Sequence, residues 1–88
     1  MFVDIVRCAD GALYVGHTTD LTQRERVHNE GAGASFTAKR RPVQVVYAEE
    51  WSSASAAIKR ERQLKHWTAA KKEALIRQDF GTLRRLGR

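Results

Sequence analysis

Two short runs rich in β-branched and aromatic residues, Phe2–Val6 and Ala12–Val15, stand on either side of an Asp10-Gly11 pair. That arrangement is the strongest short-range signal for a β-hairpin, and the hairpin's register decides which side chains share a face. A strict two-residue turn at Asp10-Gly11 pairs residues whose numbers sum to 21, which puts Asp4 and Tyr14 on opposite faces. An odd-length loop, or a bulge at Gly11, shifts the register by one and brings them to the same face.

The elements that follow are marked by their caps. Asp20, with Gln23 three residues on, has the form of a capping box, and the helix it opens is stopped after about Asn29 by Gly31 and Gly33. Residues 30–41 read as a Gly- and Arg-rich loop, and Pro42 leads into a third strand, Val43 to Glu49. Ser52 or Ser53 caps a second helix reaching His66 or Trp67. Thr68 caps a third that ends before Gly81, and Leu83 to Leu86 form a last short turn. The order β-β-α-β-α-α implies an α+β fold, a small three-stranded antiparallel sheet flanked by helices. A chain of 88 residues has room for one domain, residues 1–88, and one modest core.

Charge narrows the class of partner. Residues 1–37 carry three basic and five acidic side chains, whereas residues 38–88 carry thirteen and five, a net +8. A C-terminal half this basic suits a polyanion, because each neutralised phosphate releases counterions, although a solvated helical surface has the same composition. No apolar run approaches the roughly 20 residues of a membrane span, and Met1 to Ile5 lack the pattern of a secretion signal. The single cysteine, Cys8, cannot form an internal disulfide, which points to a reducing cytoplasm.

Several polar residues interrupt apolar patterns. In the second helix Ala54, Ala57, Ile58 and Leu64 define a stripe, and Glu61 falls in its middle. A carboxylate buried there is paired, protonated or metal-bound, and the alternative is one at the stripe's edge paired with a neighbouring Arg or Lys. Arg24 and His28 form an i, i+4 pair able to face a phosphate or simply solvent. Tyr14 stands at a strand end beside Gly16, a residue that permits close backbone approach. Asp4 lies mid-strand where alternation asks for an apolar residue, on an open face or in a polar cleft.

In this order and spacing the chain resembles the GIY-YIG nuclease superfamily, and within it the short stand-alone bacterial members, from about Phe2 to Ile76. Tyr14-Val15-Gly16 matches the second signature tripeptide. Arg24 matches the arginine of the first helix, His28 the tyrosine or histidine one turn later, and Glu61 the single metal-binding glutamate. Shorter hallmarks run from Arg7 to Gly11, Thr18 to Leu21, His28-Asn29, Gly33-Ala34, Phe36-Thr37, Arg40 to Val43, Val46-Tyr47 and Lys65.

The resemblance implies hydrolysis of phosphodiester bonds in DNA with one divalent ion, Mg²⁺ or Mn²⁺, held by Glu61. It implies Arg24 as the stabiliser of phosphoryl charge, Tyr14 as the base or orienting donor for water, and His28 as an assisting donor or base. His17, Lys39, Arg40, Arg41 and Lys65 are implied as contacts to the flanking DNA backbone. One departure stands out: the first signature tripeptide falls at Phe2-Val3-Asp4, so Asp4 replaces its tyrosine. Nine residues separate Asp4 from Tyr14, the family's own spacing. Asp4 is then a base, a second metal ligand, or the mark of a DNA-binding module that cuts poorly. RNA processing, or a role as an interaction domain, is a third reading.

Overall fold

The hairpin closes with an odd-length connection. In the computed structural model, which describes residues 1–87, β1 (Phe2–Arg7) pairs antiparallel with β2 (Leu13–Thr18), from Phe2 opposite Thr18 to Arg7 opposite Leu13. Within the connecting segment the Cys8 N–H donates to the Ala12 carbonyl at 2.8 Å and the Gly11 N–H to the Cys8 carbonyl at 2.9 Å. Gly11 sits at φ 89°, a left-handed conformation that costs glycine little. Asp4 is therefore opposite Gly16, and Asp4 and Tyr14 share a face. β3 (Gln44–Glu50) pairs antiparallel with the other edge of β1, giving the order β2-β1-β3 with an irregularity between Ile5 and Val6.

Alternation along these strands sets two different faces. Val3, Ile5 and Val15 turn to one, where Ala57 and Leu64 of α3 (Ala54–Lys65) and Leu75 of α4 (Ala69–Ile76) close the main core. Each Val, Ile or Leu buried there contributes roughly 1.5–3 kcal/mol. Arg7 staples β1 to α4 through paired bonds to Glu73 at 2.8 and 2.6 Å. α5 (Phe80–Leu86) follows α4 and adds Leu83 to the rim.

The second face carries only a small apolar cluster of Val6, Cys8 and Val43, and α1 (Leu21–Asn29) docks beside it mainly through polar groups. Glu25 accepts the Val45 N–H at 2.7 Å. Asn29 exchanges two bonds with Val43, at 3.0 and 2.7 Å, and Arg24 pairs with Asp4. A helix attached in this way has no need of a wide apolar stripe. It brings its polar face against the sheet, and the candidate site lies there.

The expected caps form at Asp20, Ser53 and Thr68, each accepting a backbone N–H three residues on. Four details differ from the sequence reading. Gln23 does not close a capping box, because the Asp20 N–H is taken by Thr18 Oγ1 at 3.1 Å. The 30–41 loop contains one turn of helix, α2 (Ser35–Ala38), too short to leave a periodic signal. α4 ends before Gly81 as expected, but the last turn begins at Phe80 rather than Leu83, so Gly81 lies inside α5. Ala54 is exposed and so is Ile58, at 38%, because Ile58 lies roughly 100° around the helix from Ala57. The buried side of α3 runs through Ala57 and Leu64, with Glu61 between them. No helix among the described residues is long and apolar enough to cross a membrane.

Candidate active site

Gly16 is the starting point of the site. A methyl group at this position would overlap the Arg24 guanidinium, so its missing side chain is the space that Arg24 occupies. From there Arg24 reaches across the hairpin to Asp4, and its Nε faces Asp4 Oδ2. Asp4 is wholly buried, and burial holds its carboxyl above its ordinary range against the pull of Arg24. Asp4 and Arg24 form a close ion pair whose facing atoms are shielded from solvent.

The remaining Arg24 nitrogen extends a chain of bonds. Nη1 lies 3.1 Å from His28 Nε2, His28 Nδ1 lies 2.6 Å from Thr37 Oγ1, and the Thr37 hydroxyl donates to the Ala34 carbonyl at 2.9 Å. Arginine only donates, so Nε2 accepts and the imidazole is neutral with its hydrogen on Nδ1. Burial, and the Arg24 charge after it, both lower the His28 pKa and keep that form. Gly33 packs against the imidazole as Gly16 does against the guanidinium, leaving no room for a side chain. Thr37 is wholly buried.

These groups open onto a cleft of about 370 Å³ lined by Tyr14, Thr18, Gln23, Arg24, His28 and Gly33. The Tyr14 ring stacks on Phe36 at 5.7 Å between centroids and tilts against His28 at 6.0 Å. Two cations approach the same ring, Arg24 at 5.9 Å and Lys65 at 6.0 Å. Tyr14, Arg24 and His28 thus meet in one place, while Asp4 lies beneath Arg24 and out of the cleft.

Glu61 does not line the cleft. α3 covers the opposite face of the sheet, and Glu61 comes to the site at the β2 edge. There its Oε1 meets His17 Nδ1 and its Oε2 takes Lys65 Nζ at 2.7 Å. Lys65 links the two sides, since it is also the cation over Tyr14. Burial pushes Glu61 up, but its bonds to Lys65 and His17 outweigh this and hold it below its ordinary value. The Glu61 charge is close enough to help raise Asp4.

The basic loop is more committed than its composition implies. Arg40 donates to Asp10 at 3.1 Å and to the Phe36 carbonyl at 2.9 Å, and lies 3.9 Å over the Phe36 ring. Arg41 donates to the Ala38 and Asn29 carbonyls at 3.1 and 3.2 Å. Both therefore brace the segment around α2, and Lys39 between α2 and Arg40 is exposed. Thr37, Phe36 and the anchors Glu25 and Asn29 escaped the sequence reading. Phe36, Thr37 and Asn29 carried a signal only as hallmarks without a role, and Glu25 carried none.

Among the described residues no three His, Cys, Asp or Glu side chains gather in a way that could hold a metal. A hard divalent ion does not need them, because Mg²⁺ is held by one or two carboxylates with waters and phosphate oxygens. Glu61 fits that requirement: its carboxylate is held ionised, and its two partners, His17 and Lys65, are exposed side chains that an ion can displace.

A model of the GIY-YIG catalytic domain matches residues 1–74. UPF0213 proteins of Staphylococcus aureus strains Mu3 / ATCC 700698 and USA300 are 47% identical over 77 residues, covering 88% of this chain and 94% of theirs. The solution NMR structure of the UPF0213 protein BH0048 from Bacillus halodurans is 36% identical, with a TM-score of 0.56. That match covers 88% of this chain and 82% of the other.

Proposed function

The chain belongs to the GIY-YIG family, and from that premise we propose that it is a divalent-metal-dependent endonuclease that hydrolyses phosphodiester bonds in DNA. Its place is then in repair, recombination or DNA turnover. The observation that carries the reading is Arg24, fixed between buried Asp4 and neutral His28 at the mouth of the Tyr14 cleft.

A phosphate entering the cleft meets Arg24 where negative charge grows during hydrolysis, with Lys65 near the same Tyr14 ring but paired to Glu61. Arg24, held by Asp4 and His28, is preorganised and so favours the transition state over the ground state, while Lys65 is released from Glu61 when an ion takes its place. Tyr14 lies between them and orients the attacking water or takes its proton. Mg²⁺ or Mn²⁺ at Glu61, when bound, supplies polarisation of the phosphate and stabilisation of the leaving oxygen. The acceptor nitrogen of His28 is occupied by Arg24, so its role is to hold the guanidinium. Asp4 has the same role from the other side, since a wholly buried carboxylate meets neither water nor metal. In this reading Lys39, with Arg40 and Arg41 bracing the segment beside it, contacts flanking phosphates.

The second reading, a DNA-binding module that does not cut, is favoured by one observation, Asp4 in place of the signature tyrosine. Labelled single-stranded, duplex, flap and junction DNA incubated with Mg²⁺, Mn²⁺ or chelator separates the two. Metal-dependent cleavage that disappears in Arg24→Ala supports the nuclease. Salt-sensitive binding without cleavage on any form supports the module.

A further inference from the structure

Both tryptophans of the chain lie away from the Tyr14 cleft. Trp51, Ser55, Lys59, Arg60 and Gln63 line one hollow of about 640 Å³. Gln63, Trp67, Lys71, Phe80 and Arg84 line a second of about 590 Å³. Gln63 belongs to both, so the hollows adjoin at that side chain and together form a groove from the start of α3 to α5 with Gln63 at its waist. Lys59 and Gln63 are two residues either side of Glu61, roughly 200° around the helix, so the groove and the Glu61 edge lie on opposite sides of α3.

Two features of the groove point to its ligand. Its ends are exposed rings, Trp51 at 36% and Phe80 at 56%. Trp51 is held in place by its Nε1 donating to Glu49 at 2.7 Å, and Glu49 also binds Arg60 and the Tyr47 hydroxyl. Between the rings the charge is of one sign. No acidic residue lines either hollow, and among the described residues Lys59, Lys71 and Arg84 pair with no carboxylate. Arg60 is already neutralised by Glu49, and Lys71 lies 4.3 Å over the Trp67 ring.

We propose that this groove binds a single-stranded DNA segment, with bases stacked on Trp51 and Phe80 and phosphates along Lys59, Lys71 and Arg84. Exposed rings flanked by cations suit a strand whose bases are free to stack, whereas the base faces of a duplex are already covered by their neighbours. An acidic polypeptide would satisfy the cations and leave the rings without a partner. The inference goes beyond the cleavage site and does not depend on catalysis there.

Tryptophan fluorescence, excited where tyrosine does not absorb, tests it directly, because both tryptophans line the groove and neither lines the cleft. The full chain is titrated, in chelator, with unlabelled oligothymidylate, a hairpin duplex and poly-glutamate. Oligothymidylate should quench strongly and the other two weakly. Phe80→Ala should weaken the single strand at least about fivefold, the effect of losing one stacked base. Lys71→Ala with Arg84→Ala should flatten the slope of log K against log salt by about 0.7 per lost contact. Phe80 and Arg84 are exposed, so circular dichroism of these variants should match the parent. Equal quenching by poly-glutamate or duplex, or unchanged oligothymidylate affinity in Phe80→Ala, overturns the proposal. Quenching that persists in a protein that cuts nothing counts against the nuclease reading and leaves the groove standing.

Discussion

His28 Nδ1 lies 2.6 Å from Thr37 Oγ1, and the proton of that oxygen is committed to the Ala34 carbonyl. The imidazole must therefore donate to Thr37, which leaves Nε2 bare to receive Arg24. A residue nine positions further along the chain, on a single turn of helix, thus decides which way the histidine is protonated.

Thr37→Val nearly preserves shape but removes the acceptor, stranding a buried imidazole N–H. The expected loss is about 1–3 kcal/mol in urea denaturation, together with a fall in cleavage. Thr37→Ser keeps the hydroxyl and should recover most of both. A nitrogen-15 spectrum showing the His28 hydrogen on Nε2 in the parent protein would contradict this chain of bonds.

Acid should weaken the same region. Burial and the Arg24 charge lower the folded-state pKa of His28 below its unfolded value near 6.5. As pH falls the unfolded chain therefore takes up the proton first. The His28 contribution to stability is complete above about pH 6.5 and is lost as pH falls through the lowered folded value. Protonation also places a second donor opposite Arg24 Nη1, so cleavage should decline in the same direction. His28→Gln removes the titrating group. Melting temperatures of parent and variant that run parallel from neutral pH into acid would show that His28 is not responsible.

How much of this could be read beforehand depended on the range of the interaction. Asp20, Ser53 and Thr68 cap helices through bonds three residues long, and the hairpin pattern is equally local, so the elements were legible. The register was legible as two alternatives, and the odd-length connection selects the one that unites Asp4 with Tyr14. Glu61 stood out because a carboxylate interrupts the buried side of α3. Its entry at the β2 edge, joined to Tyr14 through Lys65, depends on how a helix crosses a narrow sheet, which no periodicity records. Ile58 fell inside the expected stripe although it lies about 100° around the helix from Ala57, because how far the buried side extends is set by that same crossing. Arg40 and Arg41 looked like free cations because their carbonyl partners lie in a loop without pattern.

Asp4 and Arg24 should prove strongly coupled. Replacing one member of a buried pair strands the other charge, and the expected cost for Asp4→Asn is about 3–5 kcal/mol. Arg24→Met alone should also be destabilising, because Asp4 is left buried without its partner and must take up a proton there. The double variant should cost clearly less than the two single losses added together, since neither charge then remains. Additive losses would mean that the pair does not interact as its burial implies. If Asp4 instead served as base or metal ligand, Asp4→Asn would remove cleavage while leaving stability near that of the parent.

Glu61→Gln should keep DNA binding and abolish cleavage. Gln preserves the length of Glu and can still bond to His17 and Lys65, so the β2 edge should stay closed and the melting temperature should change little. The negative charge is what the substitution removes, and a lone amide oxygen does not hold a hard divalent ion against water. Losing the ion's share of transition-state stabilisation is expected to slow cleavage on the order of a thousandfold or more. Metal binding can be followed without activity: Mn²⁺ titrated into the parent should lose its free-ion paramagnetic resonance signal, and into Glu61→Gln should keep it. His17→Ala tests the neighbouring position. If His17 only covers the carboxylate, its removal should leave Mn²⁺ affinity unchanged or raise it, and a fall would make His17 a second ligand. Full-strength cleavage by Glu61→Gln, in a preparation where purified Arg24→Ala is silent, would remove Glu61 from the mechanism and with it the single-carboxylate metal site.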